Sequence, residues 1–235
     1  MNAPRVVSPA EWEQARQELL ADEKAATRAR DALAARRRRM PWVEVAGHHV
    51  FAGPEGPVTL LDLFAGRRQL VVYHFMWHGP EHVCEGCSMF VDNLGHAAHL
   101  HARDTHRVLM STGPVDELLA HRERMGWTIP WVSARDTDLY AELGLGGGFA
   151  LNVFVRDGDR VYRTYTTDGR GVELAGTNWG LLDLTPFGRQ ENWEDAPEGT
   201  PQGEPYGWWR LHDDYDKEDR PEHVAGLGLE GYRND

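Results

Sequence analysis

The run Leu70-Val71-Val72-Tyr73-His74-Phe75-Met76-Trp77 is apolar on both alternating faces apart from His74. A strand without a polar side is covered on both faces, so this run predicts a central strand of a parallel sheet. His78-Gly79-Pro80 ends it. Beyond Cys87 the apolar spacing turns helical, and Phe90, Leu94 and Ala97 form a stripe that predicts one helix reaching to about His101. Arg107-Val108-Leu109-Met110 is a second short strand. Pro114 opens another helix, with Asp116 and Glu117 in its first turn and Gly126 as its stop. Trp127 to Ser133 reads as extended, and Asp136 to Leu143 as one or two helical turns. Asn152-Val153-Phe154-Val155 and Val161-Tyr162-Arg163-Thr164-Tyr165 flank Asp157-Gly158, a hairpin signal.

Upstream, Ser8-Pro9-Ala10-Glu11 is a helix start: a capping serine, a proline at the first helical position and an acid where a capping box places one. Trp12, Leu19, Ala26 and Leu33 recur every seven residues. They predict a long amphipathic helix from about 9 to 39, ended by Pro41, that packs along the domain or across a dimer seam. Gly53-Pro54-Glu55-Gly56-Pro57 is a turn between two short extended pieces. Beyond Pro186 the chain is rich in Pro, Gly, Trp and acid; Trp193, Trp208 and Trp209 argue for an ordered wrap that loosens towards the end. The expected organisation is an N-terminal helical extension (1–41), a central α/β domain (42–188) and a C-terminal wrap with an acidic tail (189–235).

Charge changes the picture mainly by exclusion. The formal net charge is −12, and residues 189–235, with thirteen Asp and Glu against five Lys and Arg, supply two thirds of it. An acidic chain repels phosphate backbones, which argues against nucleic acid as a partner. Arg36-Arg37-Arg38-Arg39 sits where basic residues compensate a helix dipole. No run of about 18 apolar residues exists for a membrane span, and the first residues lack the apolar core of a signal peptide. The expected compartment is the cytoplasm.

The two cysteines are three residues apart, Cys84-Glu85-Gly86-Cys87. So short a loop constrains an unfolded chain little, and a reducing compartment disfavours a structural staple. Redox chemistry or metal binding remains. With Cys84 at a strand-to-helix junction, the free N–H groups of the helix start favour its thiolate. Cys87, one turn on, is then the resolving partner, while Glu85 works against the thiolate. Seven of the twelve histidines fall between His74 and His106. His82 with the two thiols forms a soft ligand set suited to copper or zinc. On a continuous helix Asp92, His96 and His99 share one face. Trp77 and His78 stand where they would wall the cysteine site, and His212-Asp213-Asp214-Tyr215 is expected to fold back near it. Gly144 to Gly148 reads as a loop.

Strand, cysteine pair, helix, strand, helix and hairpin together make the thioredoxin order of elements. The residues also resemble a bacterial family of thioredoxin-like proteins, domain of unknown function 899. The resemblance rests on Arg38-Arg39-Met40-Pro41-Trp42-Val43, Tyr73-His74-Phe75-Met76, Cys84-x-x-Cys87-Ser88 with Asp92, and His99-Leu100 with Arg103-Asp104. It continues in Arg124-Met125-Gly126-Trp127, Pro130-Trp131-Val132-Ser133, Arg170-Gly171, Leu182-Asp183-Leu184-Thr185-Pro186-x-Gly188-Arg189 and His212-Asp213-x-Tyr215. It implies a thioredoxin-like α/β fold related to the peroxiredoxin branch, and it leaves the reaction open. Where thioredoxins carry a cis-proline, this sequence reads Phe149-Ala150-Leu151-Asn152. Where peroxiredoxins carry Thr or Ser three residues before the attacking cysteine, it has Glu81. His78, His82 and His96 are additions to the family pattern and add weight to a metal.

Three readings follow. The first is a thiol–disulfide oxidoreductase acting on a thiol or small-molecule substrate and requiring no cofactor. The second is a mononuclear copper or zinc enzyme with Cys84, Cys87 and His82 as ligands. The third is a non-catalytic redox or metal sensor that presents a partner surface on its long helix, as a homodimer or otherwise.

Overall fold

The computed structural model describes residues 5–215. Two compact units emerge among the described residues: 5–41 with Asp195–Pro201, and Trp42–Glu194 with 202–215. No helix among the described residues is long and apolar enough to cross a membrane.

The first unit is dominated by helix α1 (Pro9–Arg37). Its start follows the sequence: Ser8 Oγ accepts from the Glu11 N–H at 3.3 Å, and the Glu11 carboxylate takes the Ser8 N–H at 3.0 Å. The helix runs close to the expected 9 to 39, with turns over Arg38–Met40 leading to Pro41. Within the single chain the seven-residue stripe is exposed: Trp12, Leu19 and Leu33 are 60%, 55% and 43% exposed, and α1 buries no residue, so of the two expected occupants the dimer seam concerns a second copy.

The second unit holds an eight-stranded sheet of β1 (Val43–Val45), β2 (Val50–Gly53), β3 (Gly56–Thr59), β4 (Gln69–His74), β5 (Thr105–Ser111), β6 (Trp131–Ser133), β7 (Ala150–Asp157) and β8 (Arg160–Thr167), in the order β1-β8-β7-β4-β5-β6-β2-β3. β4, β5 and β6 run parallel, while β7 pairs antiparallel with β4 and β8 with β7. Helix α2 (Glu85–Asp92) and the short α3 (Ala98–His101) connect β4 to β5; α4 (Val115–Arg124) connects β5 to β6; α5 (Leu139–Glu142) precedes β7; α6 (Thr177–Leu182) follows β8. The β8-β7-β4-β5 arrangement, with a cysteine pair opening the helix between the two parallel strands, is a thioredoxin-like fold.

The sheet separates two apolar clusters because successive side chains of a strand point to opposite faces. Leu70 and Val72 join Val108, Met110 and Phe154 on one side; Tyr73 and Phe75 join Leu109, Phe90 and Trp131 on the other. The central strand is shorter than its apolar run, since the ladder ends at His74. The predicted strand from Trp127 forms pairs only over Trp131–Ser133.

The helix after the cysteines is also corrected. It stops at Asp92 and resumes at Ala98. Asn93 causes the break: its Nδ2 donates to the Met89 carbonyl at 2.7 Å, and its Oδ1 accepts from Thr177 Oγ1 and the Asn178 N–H. Asp92, His96 and His99 therefore do not share one helical face. The expected loose end of the wrap, residues 216–235, lies outside the described residues.

Candidate active site at the cysteine pair

After β4 the chain leaves the sheet, closes a loop with a bridge between Trp77 and Val83, and returns to start α2. Cys84 is the N-cap residue, with extended backbone (φ −65°, ψ 108°), and its Sγ accepts the Cys87 N–H at 3.2 Å. An N-cap acceptor satisfies a helix-start N–H that lacks an intrahelical partner. A sulfur there gains more from that donor, and from the helix dipole, as a thiolate than as a thiol. Cys84 is half-buried and Cys87 fully buried, both as free thiols.

The two sulfurs are pushed in opposite directions. The hydrogen bond with the Cys87 thiol is the largest influence on Cys84 and lowers its pKa. Burial opposes this, the N–H groups of Cys87 and Gly86 reinforce it, and the Glu85 charge opposes it; the net direction is down. Cys87 is held well above the ordinary thiol range, by burial first and then by the hydrogen bond and charge of Cys84. The Tyr73 phenol and the Met76 N–H lean the other way by hydrogen bonding to the Cys87 sulfur. Tyr73 is itself kept protonated by burial, then by charge at Cys87 and Cys84. It is fixed by stacking on Phe90, ring centroids 4.2 Å apart.

Aromatic side chains from distant segments complete the site. A cleft of about 430 Å³ is lined by both cysteines and by Tyr73, Phe149, Trp179 and Trp209. Trp209 lies against Gly86, where a Cβ would collide with its six-membered ring. Trp179 packs edge-on to Trp209 at 6.1 Å, and Tyr206 lies 4.4 Å from it. Both indole N–H groups, Trp179 Nε1 and Trp209 Nε1, are buried without an acceptor among the described residues. Arg124, Arg170, Glu81 and Glu173 add charge to the lining.

The segment that supplies Trp209 is organised by Glu191, only 1% exposed. Its carboxyl group accepts from Trp193 Nε1 (2.6 Å), Trp208 Nε1 (2.9 Å) and the Tyr206 N–H (2.8 Å). Farther on, His212 Nδ1 lies 2.9 Å from Asp92 Oδ1, and Arg124 forms a two-pronged pair with Asp213 at 2.9 and 3.0 Å. The His212 segment thus folds back onto the helix that carries the cysteines, as the sequence suggested.

The remaining candidates divide. His78 and His82 line the cleft. The ligand atoms of Cys84, Cys87 and His82 do not gather within 4.8 Å of one another. Trp77 is outside the lining; its indole donates to Glu117 at 3.0 Å and packs against Trp131 and His121. Asp92 accepts from Trp127 Nε1 at 2.7 Å as well as facing His212. His96 accepts the Ala98 N–H, and both it and His99 are exposed outside the cleft. Sequence reasoning gave no role to Tyr73, Tyr206 or Trp179, and it left Trp209 only as an anchor. The concentration of aromatics in an acidic tail was the available signal.

A family model described as bacterial protein of unknown function, DUF899, matches residues 1–215. No curated protein sequence matches the chain. Similar solved structures include the mitochondrial 2-Cys peroxiredoxin from Plasmodium falciparum, 13% identical over 60% of this chain and 92% of that one, with a TM-score of 0.40. Peroxidoxin BcpB from Mycobacterium tuberculosis is 22% identical over 52% and 82%, with a TM-score of 0.36. Xanthomonas campestris peroxiredoxin Q is 13% identical over 53% and 85%, with a TM-score of 0.39. With its match running through the long helix, the cysteine pair and the wrap, the chain belongs to the bacterial DUF899 family.

Proposed function

We propose that the protein is a thiol–disulfide oxidoreductase in which Cys84 attacks and Cys87 resolves. The observation that carries this reading is the asymmetry of the pair: Cys84 caps the helix and is acidified, while Cys87 is buried and kept as a thiol. The Cys84 thiolate attacks one sulfur of a substrate disulfide, forming a mixed disulfide and expelling the other sulfur as a thiolate. Cys87 then loses its proton and attacks the Cys84 sulfur, releasing the second substrate thiolate. The substrate gains two electrons and the pair becomes a disulfide, which an external dithiol reduces again. Tyr73, donating to Cys87, eases development of negative charge there in the second step.

The cleft suits a substrate with an apolar body beside its disulfide, which the aromatic rings would take. A copper or zinc ion on the same thiols is the competing reading. It requires His82 to move onto the sulfurs, or a third ligand from outside the chain.

Glutathione disulfide separates the roles. Reduced protein should convert to the internal disulfide with release of two glutathione thiols per chain, read by intact mass. Cys87→Ser should stop at the Cys84–glutathione adduct, and Cys84→Ser should not react at that rate. Unchanged oxidation of Cys84→Ser would overturn the assignment.

A further inference from the structure

The turn between β1 and β2 carries two adjacent histidines that thiol chemistry does not use. His49 is buried at 1% exposure, whereas the side chain of His48 is 69% exposed. On α5, Glu142 Oε2 lies 2.6 Å from His49 Nε2, and Glu142 Oε1 takes the Ala46 N–H at 2.9 Å. A carboxylate only accepts, so the ring proton sits on Nε2. In the neutral ring Nδ1 is then an acceptor, the role a metal-bound nitrogen also takes. It faces Thr137 Oγ1 at 2.8 Å and Asp138 Oδ1 at 3.3 Å. The same Asp138 oxygen lies 3.8 Å from His48 Nε2.

Two features single this cluster out. Among the described residues it is the one group of three such side chains whose ligand atoms all lie within 4.8 Å of one another. The second is the chemistry of the donors: the Nδ1 lone pair of the neutral ring, bonded by the Thr137 hydroxyl at 2.8 Å, and the Asp138 carboxylate oxygen 3.3 Å away are electron-rich atoms that one cation can bridge. Ligands bonded at about 2.0–2.1 Å in tetrahedral array stand roughly 3.3 Å apart, close to the Nδ1–Oδ1 gap, and the exposed His48 ring needs only a small approach. A carboxylate on the far nitrogen of a metal-bound histidine fixes its tautomer and orientation, the part Glu142 is placed to play. Imidazole nitrogens select borderline ions over hard ones.

We propose that His48 Nε2, His49 Nδ1 and Asp138 Oδ1 bind one borderline divalent cation of the Zn(II), Co(II) or Ni(II) kind, with Glu142 orienting His49 and a fourth position open to solvent. The ion would tie the β1–β2 turn to the segment that follows β6. The site is independent of the cysteine chemistry.

The test uses the full chain without an affinity tag, as the Cys84→Ser/Cys87→Ser variant, so that thiols contribute nothing to the metal count. Titration with Co(II) should show one saturable equivalent with visible absorption of a nitrogen–oxygen site, displaced by Zn(II). His48→Ala and Asp138→Asn alter exposed side chains and should weaken binding about tenfold or more without changing the metal-free melting curve. Glu142→Gln should weaken it less, and His96→Ala/His99→Ala not at all. No saturable uptake, or unchanged affinity in both His48→Ala and Asp138→Asn, would overturn the proposal. So would a His49 ring that keeps a proton on Nδ1 with Zn(II) present, seen by NMR, since such a nitrogen offers the ion no lone pair.

Discussion

Trp209 lies across Gly86, the second of the two residues between the cysteines, at a spot where no side chain fits. A glycine there lets an aromatic from the C-terminal segment rest on the first turn of α2. Gly86→Ala should therefore displace the indole, destabilise the protein by about 1–3 kcal/mol and speed alkylation of Cys84. In a Trp209→Ala background, itself destabilised, adding Gly86→Ala should cost little more, because the clash has one partner. Denaturant midpoints for the two singles and the double measure this.

Glu191 is the acceptor on which the wrap converges. Glu191→Ala leaves buried donors unpaired, at about 1–3 kcal/mol each where water cannot enter. The expected result is early protease cleavage within residues 202–211 and a lower melting temperature. Removing residues 205–235 should abolish turnover on a disulfide substrate while the sheet still folds, as read by far-ultraviolet circular dichroism. Full turnover in the truncated chain would show that the wrap is unconnected to chemistry.

The acidity of Cys84 leans first on the Cys87 thiol. The rate of iodoacetamide labelling against pH should give a midpoint for Cys84 below the ordinary thiol value of about 8.5. Cys87→Ala should raise that midpoint, with the helix N–H groups retaining part of the shift. Equal midpoints would locate the acidification elsewhere.

Tyr73 bears on the second step alone. Tyr73→Phe keeps the ring on Phe90 but removes the donor to Cys87. Formation of the mixed disulfide with glutathione disulfide should keep its rate, and collapse to the internal disulfide should slow several-fold. Stopped-flow mass or fluorescence traces separate the phases, and a slower first phase would count against this division.

His74 ties stability to acid. It is fully buried in the central strand, neither ring nitrogen has a hydrogen-bond partner among the described residues, and burial, with a smaller push from Arg163, depresses its pKa to about 3. The unfolded chain binds a proton near the ordinary value of about 6.5, so the stabilisation is complete above that pH and is lost as pH falls towards 3. Between about pH 5 and 6.5, above most carboxyl titrations, His74→Leu should reduce the slope of stability against pH, by up to about 1.4 kcal/mol per unit for one proton. Urea unfolding at stepped pH reads the slope. His121, depressed to about 4 chiefly by burial, keeps its own share in the variant.

The central strand, both hairpins and the helix opening at Pro114 were legible because each rests on local signals: an unbroken apolar run, turn glycines, a proline at a helix start. The capping box at Ser8 was legible for the same reason. The break after Asp92 was not. Leu94 and Ala97 continue the apolar spacing, and what ends α2 is an Asn93 side chain bonded to residues more than 80 positions away. The site divides likewise. The cysteine pair stands out within four residues, whereas Tyr73 belongs to a strand read only as core. Trp179 and Trp209 reach the cleft by tertiary packing that spacing does not encode. The fate of α1's stripe was illegible because a seven-residue repeat marks a sticky face without naming its occupant.

β4 is hydrogen-bonded along its whole length on both sides, to β5 through six residue pairs and to β7 through six more. The cysteines open α2, ten residues beyond this doubly stitched strand, with Cys87 hydrogen-bonded to its Tyr73, while their cover is held largely by side-chain contacts in a segment of turns. Amide exchange should therefore separate into two tiers. Protons of Leu70 to His74 should exchange only through global unfolding, and those of residues 202–211 through a cheaper local opening. Opening of that cover would thus uncover Cys84 while leaving the doubly paired strand beneath it undisturbed.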